Sequence, residues 1–121
     1  MASNRLNAND PILVVDDEFL VLWMLQGELE QMGFRNIHTA AGVSSSLKLC
    51  ESQKFCFAFL DVNLGSETSF SIAEALERAG VPFAFVTGYG RAGLGDAFEQ
   101  TPVLSKPVDA RELRGVLAVK V

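Results

Sequence analysis

The 121 residues predict an α/β fold in which helices cover both faces of one parallel sheet, and three observations predict it. Ile12-Leu13-Val14-Val15, Phe57-Ala58-Phe59-Leu60 and Phe83-Ala84-Phe85-Val86 are uninterrupted apolar runs of strand length, the pattern of strands buried on both sides. The stretches between them carry apolar residues at helical spacing and stop at glycines, Gly33 and Gly80 among them. Each run gives way at its carboxyl end to polar side chains: Asp16 and Asp17, then Asp61, then Thr87. In open sheets of this kind ligands bind beyond the carboxyl ends of the strands, so three carboxylates and a hydroxyl are expected to face one crevice.

In chain order, residues 1–9 are polar, rich in Asn and aperiodic, and are expected to form a flexible tail before a single domain over residues 10–121. Pro11 opens the first strand, where a missing N–H does little harm. Glu18 to Met32 is a strong helix, closed by Gly33. Asn36 to Ala40 follows as the second strand and Val43 to Glu51 as the second helix, entered through serines. The run from Phe57 onto Asp61 is the third strand, and Asn63 to Thr68 is a loop. Ser69 to Ala79 sets Phe70, Ile72, Ala73, Leu76 and Ala79 at helical spacing. Val81-Pro82 leads into the fourth strand. Gly88 to Gly95 holds four glycines in eight residues, so the fourth helix is expected to be short or irregular and to begin near Asp96. Thr101 to Ser105 is the fifth strand, and Asp109 to Val119 the last helix with Asp109 as its N-cap. Five alternations require right-handed crossovers. The flavodoxin-like order 2-1-3-4-5 then sets strands one and three side by side and unites Asp16, Asp17 and Asp61.

Composition narrows the function. With 49% apolar and 21% charged residues the chain is an ordinary globular domain. A net charge of −5 argues against a nucleic-acid partner, which would require clustered Lys and Arg. No apolar run approaches the roughly 18 residues of a membrane span, and Met1 to Asp10 has no signal-peptide core, so a cytoplasmic location is expected. Cys50 and Cys56, in that setting, are expected to be thiols rather than a disulfide.

Three carboxylates at one sheet edge repel each other unless a cation joins them or a proton stays bound. Mg²⁺ suits such a site, since it takes oxygen ligands and keeps several waters. A carboxylate can also attack phosphorus to form an aspartyl phosphate. The transferred group then needs cationic and polar contacts on its oxygens, for which Lys106 and Thr87 are the candidates. Taken singly, each residue has a plainer role: Asp16 and Asp17 as an acidic helix start, Lys106 as a surface lysine, Thr87 as a turn cap. Their convergence on one edge favours the chemical reading.

Four motifs in order, Val14-Val15-Asp16-Asp17-Glu18, Leu60-Asp61-Val62-Asn63-Leu64, Val86-Thr87-Gly88 and Ser105-Lys106-Pro107, resemble those of response-regulator receiver domains of the CheY-like type. The resemblance spans nearly the whole chain. It implies Asp61 as phosphoacceptor, Asp16 and Asp17 with Asp61 and the Asn63 backbone carbonyl as the Mg²⁺ site, Thr87 as the switch hydroxyl, Lys106 as the phosphoryl-binding cation, and a cis Lys106-Pro107 bond. It implies a histidine kinase or phosphotransfer protein as donor, docked on the first helix, where Leu22 and Trp23 are the expected contact residues. It implies a signalling module, as monomer or weak dimer, rather than an enzyme. Phe85-Val86-Thr87-Gly88-Tyr89-Gly90 further resembles stand-alone receivers with a Phe-Ala-Thr-Gly-Tyr-like motif.

One departure bears on the switch. Most receivers carry Tyr or Phe three residues before the strand-five lysine, whereas this chain has Val103. Residues 88–98 are therefore expected to be mobile without phosphate and to order on phosphorylation, with Gly88 as a hinge and Tyr89 and Phe98 supplying an aromatic face.

Other readings fit less well. A haloacid-dehalogenase-like phosphatase wants Asp-x-Asp after its first strand, but Phe19 follows Asp17-Glu18. A flavin module lacks a phosphate-cradling loop after strand one, and the G-x-G-x-x-G of Gly88 to Gly93 follows the wrong strand for a dinucleotide. The lone His38 lies on strand two, so the phosphoryl donor is expected to be another protein. A receiver cut from a hybrid kinase is a further alternative.

Overall fold

In the computed structural model, which describes residues 6–94 and 96–119, the three long apolar runs lie side by side as expected. The strands are β1 (Ile12–Val15), β2 (Ile37–Ala40), β3 (Phe57–Asp61), β6 (Phe83–Thr87) and β7 (Val103–Ser105), in the parallel order β2-β1-β3-β6-β7. Counting only these strands, this is the predicted 2-1-3-4-5. Four α-helices pack on the sheet: α1 (Phe19–Gln31), α2 (Val43–Ser52), α3 (Phe70–Ala79) and α4 (Ala110–Val119).

Strand alternation divides the core in two. Ile12, Val14, Phe57, Phe59, Ala84 and Val86 join Leu22, Leu25 and Leu29 of α1 and Leu113 of α4. Their neighbours Leu13, Val15, Ala58, Leu60, Phe83 and Phe85 join Ile72, Ala73 and Leu76 of α3. Because both faces are covered, every residue of β1, β3 and β6 is buried and no polar alternation marks these strands in the sequence.

The helix ends follow the sequence signals. Gly33 has φ +101° and Gly80 φ +73°, positions open to glycine at little steric cost. Beyond each, the next N–H reaches five residues back, Phe34 to the Leu29 carbonyl at 3.1 Å and Val81 to the Leu76 carbonyl at 2.9 Å, the Schellman closure. Asp109 caps α4 by accepting the Arg111 N–H at 2.6 Å.

Four features differ from expectation. The loop Asn63 to Thr68 is a small antiparallel hairpin, β4 (Asn63–Leu64) with β5 (Glu67–Thr68), turning at Gly65. The segment after β6 forms only a 3₁₀ turn, Gly90–Gly93, and residues 96–100 are turns, so no α-helix begins near Asp96. Gly90 and Gly93 disfavour helix by about 1 kcal/mol each relative to Ala; Gly95 lies outside the described residues. The fifth strand is shortened to Val103–Ser105. Residues 6–9 are tied down rather than loose: Arg35 N–H donates to the Ala8 carbonyl at 2.8 Å, the Asn36 amide donates to the Asn9 carbonyl, and Leu6 packs against the α1 side of the core. The rest of the expected tail, residues 1–5, lies outside the described residues.

Candidate functional site

The crossover order places β1, β3, β6 and β7 so that Asp16, Asp61, Thr87 and Lys106 meet at one sheet edge. Asp16 follows β1 directly and is fully buried. Its Oδ1 accepts the Glu18 N–H at 2.9 Å, which fixes the carboxylate at the entry to α1. Asp61 ends β3 and is 7% exposed; Thr87 ends β6 and is 3% exposed. Lys106 follows β7 and is held to the sheet by its own N–H on the Thr87 carbonyl at 3.0 Å; the Lys106-Pro107 peptide is cis.

Lys106 joins the carboxylates. Its Nζ stands 2.9 Å from Asp16 Oδ2, 3.4 Å from Glu18 Oε1 and 3.5 Å from Asp61 Oδ1. The buried Asp16 Oδ2 has the Lys106 ammonium as its charged neighbour, the shortest of the three contacts. Burial pushes the Asp61 carboxyl up from 3.8 to about 6; Asp16 adds to the rise and Lys106 opposes it. For Lys106, burial works against the ammonium, but Asp16, Asp61 and Glu18 together outweigh it and hold the lysine above its usual range. The site is thus a buried acid pair bridged by one permanent cation.

Asp16, Asp17 and Glu18 bring one carboxylate oxygen each within 4.8 Å of one another. This oxygen-only set of three carboxylates fits a hard dication such as Mg²⁺. Asp61 lies outside that trio, across Lys106, and the trio includes Glu18 in its place. Asn63 follows two residues after Asp61, exposed, where the chain leaves the sheet for the hairpin. Asp61 and the acidic trio are therefore neighbours linked through one lysine.

Thr87 Oγ1 accepts the Tyr89 N–H at 3.1 Å, leaving its own proton free to donate. Gly88 and Tyr89 are exposed, Tyr89 by 77%. Phe98 is not part of an exposed aromatic face: it is 5% exposed, with its ring 5.1 Å from Phe85 and 5.4 Å from Phe70. Val103 packs partly buried against that same cluster. On α1, Leu22 is core and not contact surface, because it shares the buried stripe with Leu25 and Leu29. Phe19, Leu20, Trp23 and Met24 are the exposed apolar residues there, Trp23 at 66%. Trp23 and Met24 line a groove of about 1250 Å³ between α1 and Lys106-Pro107-Val108. His38 sits away from the site on β2, bonded to Asn36 Oδ1 at 2.8 Å, and Cys50 and Cys56 are free thiols.

The sequence reading missed two participants. Glu18 was visible only as the third acid of its motif; its bond to Lys106 spans 88 positions. Arg91, whose guanidinium donates to the Thr101 and Phe98 carbonyls at 2.7 and 2.6 Å, had one available signal: a glycine-rich stretch without a helix leaves carbonyls that need a donor.

Comparison with known proteins agrees with this geometry. Residues 12–118 match the response regulator receiver domain family. The sensory transduction protein LytT of Bacillus subtilis (strain 168) is 32% identical over 114 residues, covering 88% of this chain and 46% of that protein. The chain spans less than half the length of the curated relatives it matches. Among solved structures, SdrG from Sphingomonas melonis Fr1 superposes with a TM-score of 0.82 at 36% identity, covering 93% of this chain and 97% of that one. SdrG in a BeF₃-activated conformation gives 0.79 at 35% identity, covering 94% and 100%. With the family matched over nearly its whole length and the acid pair, threonine and lysine assembled at one sheet edge, the chain belongs to the response regulator receiver domain family.

Proposed function

We propose that this receiver takes a phosphoryl group on Asp61 from a phosphohistidine of a partner protein and signals through the change this makes around Thr87. The observation that carries the reading is Asp61 itself: a buried carboxylate ending β3, with Lys106 Nζ 3.5 Å from its Oδ1 and its pKa raised to about 6. At neutral pH it is mainly ionised, so an oxygen lone pair is available to attack phosphorus, and the histidine nitrogen leaves with the electrons of the broken P–N bond. Lys106 is near enough to shift onto the phosphoryl oxygens, and Thr87 can donate its hydroxyl proton to one of them. Asp16 and Asp17, with Asp61 and the Asn63 carbonyl, would hold Mg²⁺, and Glu18 stands close enough to join them. When bound, the ion would neutralise charge on the transferring group.

Receiver domains act on partners as signalling modules rather than as enzymes with small-molecule substrates. Exposed Trp23 and Met24, which share a groove with Lys106, and exposed Phe19 and Leu20 on the same helix support docking of a helix from a histidine kinase or phosphotransfer protein next to the acceptor. Free thiols at Cys50 and Cys56 suit a reducing, cytoplasmic setting. None of the described helices is long and apolar enough to cross a membrane.

The test is incubation with Mg²⁺ and a small acyl phosphate, read by intact mass. A stable adduct of about 80 Da on the wild type, absent from Asp61→Asn, supports the assignment. Continuous release of phosphate without an adduct favours a phosphatase, and an adduct retained by the variant overturns Asp61 as acceptor.

A further inference from the structure

The segment joining β6 to β7 is held closed by side chains instead of by a helical ladder. Between Gly90 and Thr101 the described backbone forms a single 3₁₀ turn, and beyond it Leu94 N–H donates to the Arg91 carbonyl and Thr101 N–H to the Phe98 carbonyl. The segment is fixed by Leu94 and Phe98, 4% and 5% exposed, and by the exposed Arg91. One guanidinium spans the segment, with Nη2 on the Phe98 carbonyl and Nη1 on the Thr101 carbonyl. A planar fork suits this double contact, where a lysine could serve only as a point charge.

This closure bears on the site through β6. Phe83, Phe85 and Thr87 alternate along the strand and so point to one face, the face on which Phe98 packs against Phe83 and Phe85. The Thr87 hydroxyl oxygen is engaged by the Tyr89 N–H, two residues before Arg91. If Thr87 is drawn toward a group on Asp61 and keeps its bond to the Tyr89 N–H, the turn follows it and carries Arg91 away from its two carbonyls.

We infer that Arg91 is a latch holding the β6–β7 segment in its resting arrangement and opposing phosphorylation of Asp61. The inference rests on Asp61 being the acceptor. By linkage, whatever stabilises the resting segment more than the activated one weakens binding of a phosphoryl group or its mimic by the same factor. Two charge-assisted hydrogen bonds on an exposed guanidinium correspond to about a fivefold to tenfold effect.

The experiment measures binding of beryllium fluoride with Mg²⁺ by titration calorimetry, alongside hydrogen exchange of the unliganded proteins. Arg91→Ala and Arg91→Lys should both bind about five to ten times more tightly than wild type, with faster exchange across residues 90–101. Arg91 is exposed, so both variants should fold, and melting curves check this. Wild-type or weaker affinity in both variants overturns the latch. Tighter binding in Arg91→Ala alone overturns it too, since charge rather than the fork would then be acting. Asp61→Asn should lose binding; if it does not, the acceptor assignment fails, which is a separate result.

Discussion

Replacing Asp61 by Asn should stabilise the metal-free protein, although it removes a residue the site is built around. In the wild type the carboxyl is raised from 3.8 to about 6, first by burial and then by Asp16, against the pull of Lys106. At 1.36 kcal/mol per pKa unit the rise corresponds to a ceiling of about 3 kcal/mol. Coupling to Asp16 and Lys106 makes about 2 kcal/mol the better expectation. Because the folded state binds the proton more tightly than the unfolded chain, this acid lowers stability as pH rises from 3.8 to about 6, and the loss is complete above that. Well below pH 3.8 the carboxyl is protonated in both states and the loss vanishes. The amide is nearly isosteric and never ionises, while Lys106 keeps Asp16 at 2.9 Å and Glu18 at 3.4 Å. Urea or thermal unfolding in EDTA, with wild type and variant compared from pH 4 to 8, is the assay. At pH 8 the variant should melt higher by roughly 6–10 °C, taking about 3–5 °C per kcal/mol for a domain of this size. The gap should close on acidification. Equal stability at pH 8, or a gap that widens toward pH 4, would refute the claim that the folded site strains against its own charge.

Two further outcomes test the packing and the docking surface. Phe98→Ala should lose about 3 kcal/mol in urea unfolding, because the ring is buried among Phe70, Phe83 and Phe85; a loss below 1 kcal/mol would mean that the segment packs loosely. Trp23→Ser should leave stability within about 0.5 kcal/mol and labelling by acyl phosphate unchanged, while transfer from a phosphorylated partner slows by about tenfold or more. Unaltered transfer would move docking off α1.

Much of this was legible because buried parallel strands announce themselves. β1, β3 and β6 have no solvent face, so their apolar runs stand out, and their carboxyl ends identify the edge where Asp16, Asp61 and Thr87 gather. What escaped was fixed by contacts with no local period. Phe98 lies in turns, where nothing marks an inward side chain, and its burial comes from rings 13 to 28 positions away. Leu22 and Trp23 are adjacent in a run apolar on every side, so the sequence could not divide core from surface; packing on the sheet took Leu22, Leu25 and Leu29 and left Trp23 out. The tether of residues 6–9 uses backbone carbonyls, which carry no signature in composition.

The valine at position 103 and the lack of an α-helix between Thr87 and Val103 among the described residues belong to one arrangement. A helix there would supply its own backbone bonds, and a large ring on β7 could then move beneath it. With Gly90 and Gly93 the helix is disfavoured, and the segment needs anchors of another kind. Phe98 provides one, and the small Val103, packed against the same cluster, goes with the presence of that extra ring. Dense cores admit few voids and little excess volume, so an aromatic at 103 together with Phe98 would crowd the site where Phe70, Phe83 and Phe85 already meet. Here the ring, the Arg91 fork and the Tyr89 N–H on Thr87 are parts of the same segment, so on the proposed reading a displacement of Thr87 would act on that segment without an intermediary on β7.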